Sequence, residues 1–173
     1  AFIYTDSSSA ILLEMSGIFD QLLTNVDVVI SETVYNEIAK PGYPGSNEFK
    51  TYYHNKRFRI APVTKPTLIK ENSDLNRLDK GERETIYLYF KNRDGYILTD
   101  DGKAARWCFK HRVPFINALL VPKLFWYSKL ISEVECTTKM DALCAIGRYS
   151  NKVKAVAFDS TKDDLSYFLR DIY

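Results

Sequence analysis

The sequence is short of the residues that zinc sites, disulfide frameworks and histidine-based catalysis require. Its 173 residues include three cysteines (Cys108, Cys136, Cys144) and two histidines (His54, His111), too few and too scattered for a zinc site. An odd cysteine number without paired spacing speaks against disulfides and for a reducing compartment. Neither histidine stands near a Ser or Cys nucleophile motif. No apolar run approaches the roughly 20 residues of a membrane span; runs such as Ala118–Val121 and Val28–Ile30 are far shorter. The first fifteen residues hold Asp6 and Glu14 but no Lys or Arg, unlike a secretory signal. These absences give the expectation of a cytoplasmic protein with no membrane association. Repeats and low-complexity tracts are missing too, and the only Pro/Gly-rich break is Pro41-Gly-Tyr-Pro-Gly45. With 46% hydrophobic and 27% charged residues, the chain has the material for one well-packed domain.

Net charge is +2, but it is unevenly spread. Residues 1–47 contain six acids and one base. Residues 50–66 carry Lys50, Lys56, Arg57, Arg59 and Lys65 without an acid, and residues 103–129 carry Lys103, Arg106, Lys110, Arg112, Lys123 and Lys129, again without one. Aromatics such as Tyr52, Phe58 and Trp107 are interleaved with these cations. Such separation suits an acidic site with a basic rim, as an enzyme acting on a polyanion would need. It is equally what core aromatics between solvated helix faces would produce.

Short apolar strands alternate with helical segments. Strands are expected at Phe2–Thr5, Val26–Ile30, Phe58–Val63, Tyr96–Thr99 and Pro114–Asn117. Helices are expected over Ala10–Leu23 (interrupted near Gly17), from Ser31 through Ala39, and over Asn47–Asn55, Asp79–Arg93, Gly102–Lys110, Val121–Ile131 and Met140–Arg148. A last helix is expected from about Thr161 to the C-terminus, capped by Ser160 with Asp163 or Thr161 with Asp164. The pattern predicts an α/β fold: a three-layer sandwich around a mostly parallel sheet of four to five strands. Ligands of such sheets sit beyond the carboxyl ends of the strands, and two of these strands end in acids, at Asp6 and at Asp100-Asp101.

Two further acids fall on inward helix faces. Glu82 shares a face with Ile86 and Phe90, and Glu37 with Val34. A buried, unpaired carboxylate costs several kcal/mol, on the order of the penalties for desolvated charge. A hard divalent cation, Mg²⁺ or Mn²⁺, would compensate, because it prefers oxygen ligands. The plainer alternatives are that Asp6, Asp100 and Asp101 cap helices and that Glu37 and Glu82 pair with arginines.

In order and spacing, these acids resemble the signature of the PIN-domain family of nucleases. The matching segments are Ile3-Tyr-Thr-Asp6-Ser-Ser, Val29-Ile-Ser-Glu-Thr-Val-Tyr-Asn-Glu37-Ile, Leu78-Asp-Lys-Gly-Glu82 and Ile97-Leu-Thr-Asp100-Asp101-Gly-Lys-Ala-Ala-Arg106. The resemblance implies a PIN-like nuclease domain over residues 1–130, followed by a C-terminal helical extension, 131–173, packed on the same domain. It implies a metal-dependent phosphodiesterase, an endoribonuclease with DNA as an alternative substrate, using Mg²⁺ or Mn²⁺. Asp6, Glu37, Glu82 and Asp101 would be catalytic and would bind metal, with Asp100 as a further ligand. Ser7 and Thr99 would orient a carboxylate or a water, and Lys103, Arg106, Lys56, Arg57 and Arg59 would hold the nucleic acid. Tyr52 or Trp107 would either stack on unpaired bases or belong to the core. A toxin-like role with an antitoxin-like protein partner, and a homodimer, are also implied by the resemblance. Two alternatives stand beside it: a PIN-like RNA-binding module without activity, and an aspartyl-phosphate phosphatase, whose second Asp is replaced by Ser8.

Overall fold

The computed structural model describes residues 2–66, 74–170 and 172. Five strands, β1 (Phe2–Thr5), β2 (Asp27–Ile30), β3 (Arg59–Ile60), β4 (Tyr96–Leu98) and β5 (Phe115–Ile116), form one sheet in the order β3-β2-β1-β4-β5. Every pairing is parallel. The first two connections run outward from β1 to β2 and β3, and the chain then crosses back to place β4 on the other side of β1. Strand order therefore reverses between β1 and β4, where a crevice opens beyond their carboxyl ends.

Side-chain alternation along the strands divides the core. Ile3, Val28, Ile30, Tyr96, Leu98 and Ile116 face one layer, and Tyr4, Val29 and Ile97 face the other. The first layer contains α1 (Ser7–Met15), α2 (Phe19–Asn25), α3 (Glu32–Ile38) and α4 (Ser46–His54). The second contains α5 (Lys80–Asn92) and α6 (Gly102–Lys110), preceded by a 3₁₀ turn at Asp74–Arg77. This is the three-layer sandwich with a parallel sheet that the sequence predicts, with the break between the first two helices at Gly17, whose φ of +75° suits glycine.

The first layer is completed from the C-terminal part of the chain. A 3₁₀ turn at Ala118–Leu120 leads into α7 (Val121–Tyr127), followed by α8 (Glu133–Ile146), α9 (Asn151–Asp159) and α10 (Ser166–Leu169). Cys136, Met140, Leu143, Ala157 and Leu165 lie in the same buried cluster as Ile3 and Val28. Lys123, 6% exposed, donates its ammonium to the carbonyls of Phe158 (2.5 Å) and Ser160 (2.7 Å), closing the end of α9 onto α7. Burial pushes the pKa of that ammonium down.

Several elements differ from expectation. Phe58–Val63 supplies only the two-residue strand β3, because Pro62 cannot continue a ladder. The helix expected at Met140–Arg148 starts seven residues earlier, at Glu133, capped by Ser132, whose Oγ accepts from Glu135 N–H at 3.1 Å. Helix α9, capped by Ser150, was not expected. Thr161 and Asp164 do bond reciprocally, at 2.9 and 3.2 Å, but a turn separates them from the four-residue α10. Of the positions expected to be helical beyond it, Asp171 and Tyr173 lie outside the described residues.

The approach of β4 to β1 depends on Gly95. Its φ is +86°, and a Cβ there would sit 1.7 Å from the Phe2 carbonyl oxygen. Gly95→Ala should therefore lower stability by more than about 2 kcal/mol, combining left-handed strain with a backbone clash. Urea unfolding would measure this, and a loss below that figure would mean the strands tolerate separation at this point.

Candidate active site

Asp6 follows β1 directly and is 2% exposed. It caps α1, its Oδ1 accepting from the Ser9 backbone N–H at 3.0 Å and from Ser8 Oγ at 3.3 Å. Its Oδ2 accepts from Thr99 Oγ1 at 2.5 Å, a bond that crosses from β1 to the residue after β4. Asp101 caps α6, its Oδ2 accepting from Ala104 N–H at 2.8 Å. Capping and site membership are thus compatible, since the helix starts are what bring these carboxylates to the sheet edge.

Glu37 and Glu82 approach from α3 and α5. Glu37 Oε2 accepts the Ser7 hydroxyl. Its carboxylate lies against α5 at Gly81, where a Cβ would come 3.1 Å from Oε1; a side chain at 81 would crowd it. Glu82, one residue on, senses the charges of Asp101, Asp6 and Asp79. Among the described residues, no Lys or Arg forms an ion pair with any of Asp6, Glu37, Glu82, Asp100 or Asp101.

Burial, together with this concentration of like charge, raises proton affinity. Asp6 is pushed from an ordinary 3.8 up to about 6, by burial first and by the charge of Asp100, against the opposing hydrogen bonds of Thr99 and Ser9. Glu82 is pushed from 4.5 up to about 7, by burial and then by Asp101, Asp6 and Asp79. The donor set is all oxygen, the chemistry that suits Mg²⁺ or Mn²⁺. Even so, among the described residues no group of three or more His, Cys, Asp or Glu is gathered closely enough to hold a metal ion. The hydroxyls of Ser7, Ser8 and Thr99 take up the carboxylates instead.

Asp100 differs from the other acids. Both of its oxygens have donors from other parts of the fold: Ser9 Oγ (2.7 Å) and Ala118 N–H (2.8 Å) on Oδ1, and the Tyr149 hydroxyl on Oδ2. These bonds give Asp100 a structural part that the sequence does not show. Ser9 and Tyr149 were missed by sequence reasoning. Ser9 could have been found as the third residue after a capping Asp, whereas nothing local marks Tyr149.

The basic residues separate into two groups. Lys103 and Arg106 lie on α6, which starts at the site, and Arg106 folds back over Gly102. With Arg77, Lys110, Leu78, Trp107 and Asp74, which pairs with Lys110 at 3.7 Å and with Arg77 at 4.0 Å, they line a groove of about 340 Å³. Lys56, Arg57 and Arg59 instead line a hollow with Phe2 and Asp27, at the amino ends of the strands and away from the carboxylates. Arg57 is paired with Asp20 at 2.7 Å, and Arg59 lies over the Phe2 ring at 4.9 Å. The structure does not bring these three to the acidic site. Trp107 is buried between Phe90 and His111, and the half-buried Tyr52 ring is engaged by Phe19, Phe49 and the Arg57 guanidinium while its hydroxyl donates to Glu14.

The raised proton affinities fix the sign of a pH effect. Between the ordinary carboxylate values near 4 and the raised values near 6 and 7, the native state binds more protons than the unfolded chain. Its stability therefore falls as pH rises through that window and levels off above it. In EDTA, the urea midpoint should drop from about pH 4 to about pH 7. Asp6→Asn should flatten the drop and raise the midpoint at pH 8. Identical profiles for the two proteins would show that Asp6 carries no such strain.

A family model described as a PIN domain matches residues 2–158, a span that holds the whole sheet, all four acids and α8. No curated protein and no solved structure matches the chain. None of the helices among the described residues is long and apolar enough to cross a membrane. On the extent of that match, together with the five-stranded parallel sheet and the acids at its carboxyl edge, the chain belongs to the PIN-domain family, whose members are in general nucleases.

Proposed function

We propose that this protein is a metal-dependent endoribonuclease that hydrolyses RNA phosphodiesters at Asp6, Glu37, Glu82 and Asp101. One observation carries the reading. Asp6 is buried and Glu82 half-buried, the proton affinity of both is raised by burial and by neighbouring carboxylates, and among the described residues no Lys or Arg forms an ion pair with either. A site that gathers negative charge and supplies no counter-charge is suited to a divalent cation. Asp6, Glu82 and Asp101 do not stand closely enough together here to hold an ion; drawn in from their hydroxyl and backbone partners, they would hold Mg²⁺ or Mn²⁺, with Glu37 joining directly or through water. Bound there, the ion would supply a deprotonated water and neutralise the phosphate.

The chain's own groups have defined parts. Thr99 and the Ser9 backbone orient Asp6, and Ser7 orients Glu37. The groove of Lys103, Arg106, Arg77 and Lys110 beside α6 supports binding of the RNA backbone; a DNA backbone offers the same phosphates. The alternative of an RNA-binding module without activity explains the acids poorly. A surface that only holds phosphate gains nothing from carboxylates placed to repel it.

Cleavage of end-labelled single-stranded and structured RNA tests the proposal. Cutting should require Mg²⁺ or Mn²⁺, cease in EDTA and fall to background in Asp6→Asn. Equal cutting by wild type and Asp6→Asn would place the activity elsewhere, and metal-independent RNA binding without cutting would favour the inactive module. The joint variant Lys103→Ala with Arg106→Ala should weaken RNA binding and flatten its log–log salt dependence by roughly 0.7 per lost phosphate contact on single strands. An unchanged slope would move the RNA path away from α6.

A further inference from the structure

Asp100 adjoins the acidic site in sequence, yet its carboxylate is spent on three separate parts of the fold. Ser9 of α1 and the Ala118 N–H after β5 share Oδ1, and Tyr149, between α8 and α9, donates to Oδ2. Ser9 is fully buried and its backbone N–H holds Asp6. A continuous path thus runs from the Tyr149 hydroxyl through Asp100 and Ser9 to Asp6. The chain is shaped to deliver that hydroxyl. At Gly147 a Cβ would lie 2.4 Å from the Tyr149 ring, so the ring occupies space that any other residue at 147 would fill.

We propose that Tyr149 is a positioning residue of the nuclease site: by holding the outer oxygen of Asp100 it keeps that carboxylate turned from Asp6, Glu82 and Asp101 and keeps Ser9 seated on Asp6. The inference rests on the carboxylate-centred cleavage proposed above. The physical ground is the donor requirement of a half-buried carboxylate. Without the Tyr149 hydroxyl, Oδ2 loses its donor, and the carboxylate swings toward water or toward a cation at the neighbouring acids. Either motion loosens Ser9 or adds a competing charge at the cluster. RNA held along α6 is not involved, so turnover and metal binding should change while RNA affinity does not.

Tyr149→Phe removes only the hydroxyl and keeps the ring packed. It should weaken Mn²⁺ binding, followed by electron paramagnetic resonance without RNA, by about 10–100-fold, and lower kcat similarly, as loss of outer-sphere partners does. KM for RNA should stay unchanged. Ser9→Ala breaks the same path one step further on, so the double variant should be less impaired than the product of the two single effects. A lowered urea midpoint with wild-type Mn²⁺ affinity and kcat would reduce Tyr149 to a packing residue and overturn the inference. So would a rise in KM alone, or independent effects in the double variant. Asp6→Asn, run in parallel, separates the two levels of the argument. If wild type binds and cuts, Asp6→Asn does neither and Tyr149→Phe matches wild type, only the role of Tyr149 fails. If wild type neither binds Mn²⁺ nor cuts, the carboxylate-centred reading fails and takes the role of Tyr149 with it.

Discussion

The hydrogen bond from Thr99 to Asp6 ties together the two strands between which the sheet reverses its order, and the rest of the site is arranged around it. Asp6 is buried at a point where water cannot serve its carboxylate. It must therefore find donors within the protein, or keep its proton. Thr99 supplies one donor from β4's end, and the first turn of α1 supplies the others through Ser8 and the Ser9 backbone. That requirement fixes the start of α1 relative to β4, and so fixes where α3 and α5 can bring Glu37 and Glu82.

The same arrangement sets stability against function. Each donor around Asp6 lowers the cost of its charge, while burial and the charge of Asp100 raise it, and burial prevails. Glu82 shows the imbalance more strongly, because Asp101, Asp6 and Asp79 all stand among its perturbing charges. An ordinary core would relieve this with a lysine or an arginine, and the chain does contain a well-buried lysine. That lysine, Lys123, serves backbone carbonyls at the end of α9 instead. Cations are thus available to the fold, yet among the described residues none forms an ion pair with the acids, which is the pattern of a site kept open for an external positive charge.

Much of this was legible in the sequence because it is written locally. An acid after a short apolar strand, a capping serine before a helix, and glutamates in register with buried Ile86 and Val34 are all features of spacing, and the structure places Asp6, Glu37, Glu82 and Asp101 on the elements that spacing assigns. Charge runs are less informative. Lys56, Arg57 and Arg59 resemble Lys103 and Arg106 as a composition, yet they lie just before and at the start of a strand rather than after one, and in a parallel sheet that puts them at the opposite end. Helix α8 was only half visible because Val134 and Ile146 are exposed, which blurs the apolar periodicity on which a helix assignment depends. Tyr149 and Asp100 meet across 49 residues, a separation no local pattern encodes.

The C-terminal helices also bear on what counts as the PIN domain. Cys136, Met140, Leu143 and Ala157 share a buried cluster with residues of β1 and β2, and α8 and α9 cover a face made by α7, α1 and the 3₁₀ turn at Ala118–Leu120 that would otherwise be wet. Their removal would expose that face and strip Asp100 of its outer donor in the same step. Packing and site geometry therefore depend on one segment, and a change that loosens α8 on α7 and α1 reaches the acids by the hydrogen bonds of Tyr149, Asp100 and Ser9. Removing the Tyr149 hydroxyl acts on that path alone, because the ring that contributes to packing is retained. The two dependencies are separable at a single oxygen atom, even though they arrive on the same stretch of chain.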